Sequence, residues 1–122
     1  MKQSYKELVG YWLRRYLIDY LPVVRNMSRN TIASYRDALR QLLEYVADKG
    51  LSPDALQVEE LTPNLITDFL LYLEQAKNCS VQTRNLRLSA IHGFAYYIST
   101  SEPQYVCWYA KLKAIPAKYK GT

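Results

Sequence analysis

Histidine occurs once in this sequence, at His92, so neither a Ser-His-Asp arrangement nor a histidine-based metal cluster is expected. Glycine is scarce as well, with four in 122 residues, and none forms a phosphate-binding glycine loop. Cys79 and Cys107 lack Cys-x-x-Cys spacing, and a chain of this length can bury a core without staples. Reduced thiols in a cytoplasmic protein are therefore expected. No apolar run approaches the roughly 18 residues of a membrane span. Lys2, Lys6, Glu7, Arg14, Arg15 and Asp19 interrupt the N-terminal region, so neither a signal peptide nor a membrane partner is expected. Carboxylates are scattered among basic residues and not paired. The expectation is a non-enzymatic chain with no cofactor and no metal.

What is present is helical periodicity and positive charge. Few glycines and five prolines leave long segments with apolar residues at three- and four-residue spacing, which predicts an all-α fold of four main helices and a short C-terminal one. The net charge is +5, and the portion from Ser80 onward holds six basic residues against one acid, Glu102. That concentration points to a polyanion, against the plainer reading of charge kept for solubility. Twelve tyrosines lie mostly on the apolar stripes, where rings pack and hydroxyls reach the rim.

The first helix is predicted over residues 4–20, from Tyr5, Leu8, Val9, Trp12, Tyr16 and Tyr20, with Pro22 ending it. The second runs from about Ser28 to Asp48. Ile32, Tyr35, Leu39, Leu42 and Val46 form its core stripe, and Arg29, Ala33, Arg36 and Arg40 share another face. Lys49 and Gly50 suit its end. Residues 51–61 read as a loop with a helical turn. Thr62 and Pro63 start a third helix whose apolar face is Leu65, Ile66, Phe69, Leu70 and Leu73. Ser80 caps a fourth, buried through Leu88, Ile91, Phe94, Ala95 and Ile98. Val106, Trp108, Tyr109 and Leu112 dock a short last helix, and residues 116–122 read as a basic, mobile linker.

Two helix starts share one chemistry: Ser28-Arg29-Asn30-Thr31 is echoed by Ser80-Val81-Gln82-Thr83. Unpaired N–H groups, the positive dipole end and short hydroxyl side chains converge at such a start, a combination that binds phosphate. Two ordinary N-caps are the plain alternative. The candidate binding residues are Arg29, Asn30, Thr31, Ser34 and Arg36 on the second helix and Gln82, Thr83, Arg84 and Arg87 on the fourth. Together the two starts are expected to open toward one duplex, contacting phosphates and base edges. His92 is read as a partly exposed structural residue.

The pattern Ser28-x-x-Thr31-Ile32-x-Ser34-Tyr35-Arg36-x-x-Leu39, then Thr62-x-x-x-Ile66-x-x-Phe69-Leu70, then Thr83-Arg84-Asn85-x-Arg87-Leu88-Ser89-Ala90-Ile91-x-x-Phe94 resembles the amino-terminal core-binding domain of tyrosine recombinases, the phage integrase family. The resemblance covers roughly residues 4 to 115. It implies a SAM-like bundle over residues 1–115 that clamps the recombination-site duplex through its second and fourth helices and supports DNA integration and recombination. The implied partners are double-stranded DNA, a catalytic domain of the same parent chain reached through residues 116–122, and other recombinase protomers on DNA, the isolated domain being a monomer. His92 departs from the arginine common at its position. Tyr119 has no activating arginines around it and is not read as a nucleophile. A helical protein-interaction module is the alternative.

Overall fold

The computed structural model describes residues 5–119, and every regular element among them is helical. The expected helix start at Ser4 and the tail end, Lys120 to Thr122, lie outside the described residues. The chain divides between Glu60 and Leu61 into two compact units.

In the first unit a single 3₁₀ turn, Tyr5–Glu7, precedes helix α1, Val9–Arg15. The chain does not stop at Pro22. It continues as a π-helical segment, Tyr16–Val24, with Pro22 inside it. Proline lacks the N–H and its ring crowds the preceding turn, and a locally widened helix accommodates both defects. The segment ends where Asn26 takes a left-handed conformation, φ 50°, and the Met27 N–H donates to the Leu21 carbonyl at 2.9 Å. Tyr5, expected on the apolar stripe, is 77% exposed, whereas Val9, Trp12, Tyr16 and Leu21 are buried.

Helix α2, Arg29–Asp48, packs against the π-helical segment and against a 3₁₀ turn at Pro53–Ala55. Its buried residues are Ala38, Leu39, Leu42, Tyr45 and Val46. Ile32 and Tyr35, expected in that stripe, are only half-buried, so the first nine residues of α2 bury no side chain completely. Gly50, φ 93°, terminates it, a backbone conformation that costs glycine little. The Trp12 indole N–H donates to the Lys6 carbonyl at 2.8 Å, and the Val9 N–H bonds the Leu56 carbonyl at 2.9 Å, tying the start of α1 to the loop after α2.

The second unit is built on α4, Val81–Ser101. Leu88, Ala90, Ile91, Phe94, Ala95, Tyr97, Ile98 and Ser99 are buried, which covers most of its circumference. Helix α3, Pro63–Gln75, and α5, Val106–Lys113, both pack on it. Thr62 caps α3 by accepting from the Leu65 N–H at 3.1 Å, with Pro63 at the first helical position. Ile66, Phe69, Leu70 and Leu73 are its buried face. In the final helical stretch Tyr105, Trp108 and Leu112 are buried, while Val106, expected to dock, is 51% exposed. The Trp108 indole N–H donates to the Leu61 carbonyl at 2.9 Å. No helix among the described residues is long and apolar enough to cross a membrane.

Candidate nucleic-acid interface

Each unit contains one copy of the same turn. In the first, the Arg25 N–H donates to the Tyr20 carbonyl at 2.8 Å and the Met27 N–H to the Leu21 carbonyl at 2.9 Å. In the second, the Lys77 N–H reaches the Tyr72 carbonyl at 3.4 Å and the Cys79 N–H the Leu73 carbonyl at 3.0 Å. Asn26 and Asn78 hold the matching left-handed positions, φ 50° and φ 54°. Two residues later Ser28 and Ser80 begin the next helix. Tyr-Leu, a basic residue, Asn, Ser and Thr therefore recur in order at the same spacing. Sequence reasoning found the Ser-to-Thr portion and placed the end of the third helix near Lys77-Asn78, but missed the left-handed position there and its match at Asn26, although asparagine is the usual non-glycine occupant of such a position.

The caps have one geometry. Ser28 Oγ accepts from the Thr31 N–H at 3.2 Å and donates to Thr31 Oγ1 at 2.9 Å. Ser80 Oγ does the same with Thr83, at 3.1 Å for both bonds. Since each threonine oxygen accepts from the serine, its own proton is left to point elsewhere, as a donor suited to an anionic oxygen. On α2 the N–H groups of Arg29 and Asn30 precede the first intrahelical bond, from the Ile32 N–H to the Ser28 carbonyl. Neither α2 nor α4 has an acidic residue in its first turn, so nothing there offsets the positive dipole end.

On α2, Arg29, Asn30, Thr31, Ser34 and Arg36 are all exposed. They occupy the stretch that precedes the buried stripe, which explains why polar side chains stand clear there. Arg40, on the same face, is engaged by Asp37 at 3.3 Å. Arg25, exposed in the preceding turn, has the Tyr20 side chain as a hydrogen-bond partner, which raises its already high pKa and fixes its charge.

On α4 the predicted residues separate. Gln82 is exposed, and Thr83 and Arg87 are half-buried. Arg84 departs from the expectation of a DNA-facing side chain, because it is 9% exposed and engaged inside its own unit. Its Nη1 donates to Asn85 Oδ1 at 2.9 Å and to the Pro116 carbonyl at 3.1 Å, and its Nε lies 3.7 Å from Glu74. The open face of the helix start is lined instead by Gln82, Asn85, Leu86 and Ser89. Leu86 and Ser89 were legible only as one helical face with Gln82, at i+4 and i+7.

One further expectation changes, and the structural reading of His92 stands. Residues 116–118 are not a loose tail: the Lys118 N–H donates to Asn85 Oδ1 at 2.9 Å, Asn85 Nδ2 donates to the Lys118 carbonyl at 2.8 Å, and Lys118 Nζ binds Glu74 at 2.9 Å. His92 Nε2 lies 2.8 Å from the Leu112 carbonyl, to which it donates, so this nitrogen is occupied within the fold. Burial lowers the His92 pKa below its ordinary value, the Leu112 bond opposes this, and Lys113 adds to the lowering.

The sequence is similar to those of known proteins. Residues 13–100 match the sequence profile of a family described as phage integrase, N-terminal SAM-like domain. Two curated proteins of Sinorhizobium fredii (strain NBRC 101917 / NGR234), y4rC and y4rD, carry integrase/recombinase in their names. They are 40% identical over 108 residues and 38% identical over 112 residues. These matches take in 87% and 91% of this chain, but only 32% and 40% of the relatives' own lengths. No solved structure matched the chain.

Proposed function

Since the chain belongs to the phage integrase N-terminal SAM-like domain family, we propose that it is the DNA-binding, core-binding domain of a site-specific recombinase. The repeated turn carries this reading: two helix starts, each capped by serine, each lacking acidic residues, each presenting a threonine hydroxyl and exposed amide or guanidinium side chains. Arg29, Arg36 and Arg87 supply charge to phosphates, while Asn30, Thr31, Ser34, Gln82 and Thr83 supply donors that position the domain or reach base edges. Each unit presents its own helix start to duplex DNA, and the strand chemistry belongs to a catalytic domain in the parent chain, assembled with other protomers on DNA. The relatives' greater length is consistent with such a parent.

The test is fluorescence anisotropy of a labelled 20-base-pair duplex titrated with the chain at low salt. Saturable binding is expected, weakened severalfold by Arg29→Ala and by Gln82→Ala without loss of helicity. No affinity at high micromolar protein would overturn the reading. A protein-docking role is favoured by one observation, the exposed Ile18, Val23 and Val24 of the π-helical segment. It predicts concentration-dependent self-association or partner capture that Val23→Ser abolishes while duplex affinity stays intact.

A further inference from the structure

The motif Thr83-Arg84-Asn85 begins like a DNA-contact sequence, yet its second and third residues turn toward the chain beyond α5. Arg84 and Asn85 together make three hydrogen bonds to the backbone of residues 116–118. Glu74 on α3 closes the network, placing one carboxylate oxygen 2.9 Å from Lys118 Nζ and the other 3.7 Å from Arg84 Nε. Asn85 Oδ1 is shared, accepting from both Arg84 Nη1 and the Lys118 N–H. Backbone held by side chains in this way takes one path, because the paired N–H and carbonyl of Lys118 fix its orientation as a neighbouring strand would. Arg84 is a guanidinium with little exposure and its donors aimed inward, so it has little to offer a phosphate.

We propose that Arg84 and Asn85 are positioning residues that clasp residues 116–118 to the first turns of α4, so that duplex contact at this helix start also sets the path of the chain that follows. The coupling to duplex rests on the DNA-binding reading above, whereas the clasp itself does not. Gln82 and Thr83 lie within three residues of both clasp members on one rigid helical turn. A duplex that holds Gln82 and Thr83 therefore damps fraying of the same turn, and with it the motion of the Lys118 backbone.

Amide hydrogen exchange of the whole chain tests this. In the ligand-free protein, Asn85→Ala is expected to speed exchange of the Lys118 N–H by about tenfold, with Asn85→Asp, which keeps the acceptor and loses the donor, in between. The Ile91 and Phe94 amides should not change, which separates clasp release from unfolding. Unchanged Lys118 exchange in Asn85→Ala overturns the clasp. With the 20-base-pair duplex at saturation, Lys118 exchange in the wild type should slow at least severalfold, and Asn85→Ala should abolish that slowing. Bound duplex with no slowing overturns the coupling. Absence of any duplex binding in the anisotropy titration overturns the functional reading and the coupling with it, and the ligand-free comparison still decides the clasp. Arg84→Gln, which removes both the charge and the planar fork, should release residues 116–118 while leaving the salt dependence of duplex binding unchanged. A slope lowered by about one instead marks Arg84 as a phosphate contact and overturns its assignment.

Discussion

A serine hydroxyl at Ser28 and another at Ser80 each perform two tasks, accepting a backbone N–H of the first turn and donating to a threonine that could face a ligand. Replacing either by alanine is expected to cost about 1 kcal/mol of stability, read as a shift in urea midpoint. These caps were legible, because their partners lie three residues away. Arg84 was not, because its partners Glu74 and Pro116 reach it only through the packing of α3 and the return of the chain after α5. His92 follows the same rule, since the carbonyl it meets lies 20 residues later. Its lowered pKa makes a signed prediction. The folded state binds the proton less well than the unfolded state, so His92 contributes stability fully above its ordinary value of 6.5. That contribution is lost as pH falls below this value and through the lower folded pKa. Urea midpoints measured from pH 7.5 to pH 5 should therefore decline, and His92→Gln, which keeps a donor for Leu112, should flatten that part of the decline.

At the level of elements, the helix ends hold the lesson. Gly50 could be recognised as a terminator, and left-handed Asn26 and Asn78 do the same work with a side chain attached. A β-carbon in that conformation carries a steric penalty, which asparagine bears better than most residues. Asn78→Val should destabilise the second unit by about 1–2 kcal/mol, whereas Asn78→Gly should be neutral or mildly stabilising, both measured by thermal unfolding. Pro22 misled for a different reason. Proline stops an α-helix by removing one bond and crowding one turn, but a π-helical segment already departs from that bonding register, and the chain runs on to Val24. The start of α2 was read correctly as polar, though the apolar stripe was drawn too early. Its periodicity begins at Ile32, while complete burial begins at Ala38.

Across the whole chain the helical class was plain from little glycine, little proline and sustained 3.6-residue periodicity. The division between Glu60 and Leu61 was not, since residues 51–61 combine buried Leu56, Val58 and Leu61 with turns and read simply as a pinned loop. Net charge makes the molecular-scale prediction. If about four phosphates are neutralised, raising salt from 50 to 200 mM should lower duplex affinity roughly a hundredfold. A near-zero slope in the anisotropy titration would contradict a charge-led interface.

The sequence has two tryptophans, and they fall one on each side of the 60/61 boundary. Trp12 and Trp108 are shielded from solvent, each with its indole N–H tied to a main-chain oxygen. Nature has thus installed one indole per half. Excited at the red edge, where tyrosine absorbs little, a chain bearing Trp12→Phe reports from the second half, and one bearing Trp108→Phe from the first. Melting the two single-tryptophan proteins side by side reports on each half separately, with no dye attached.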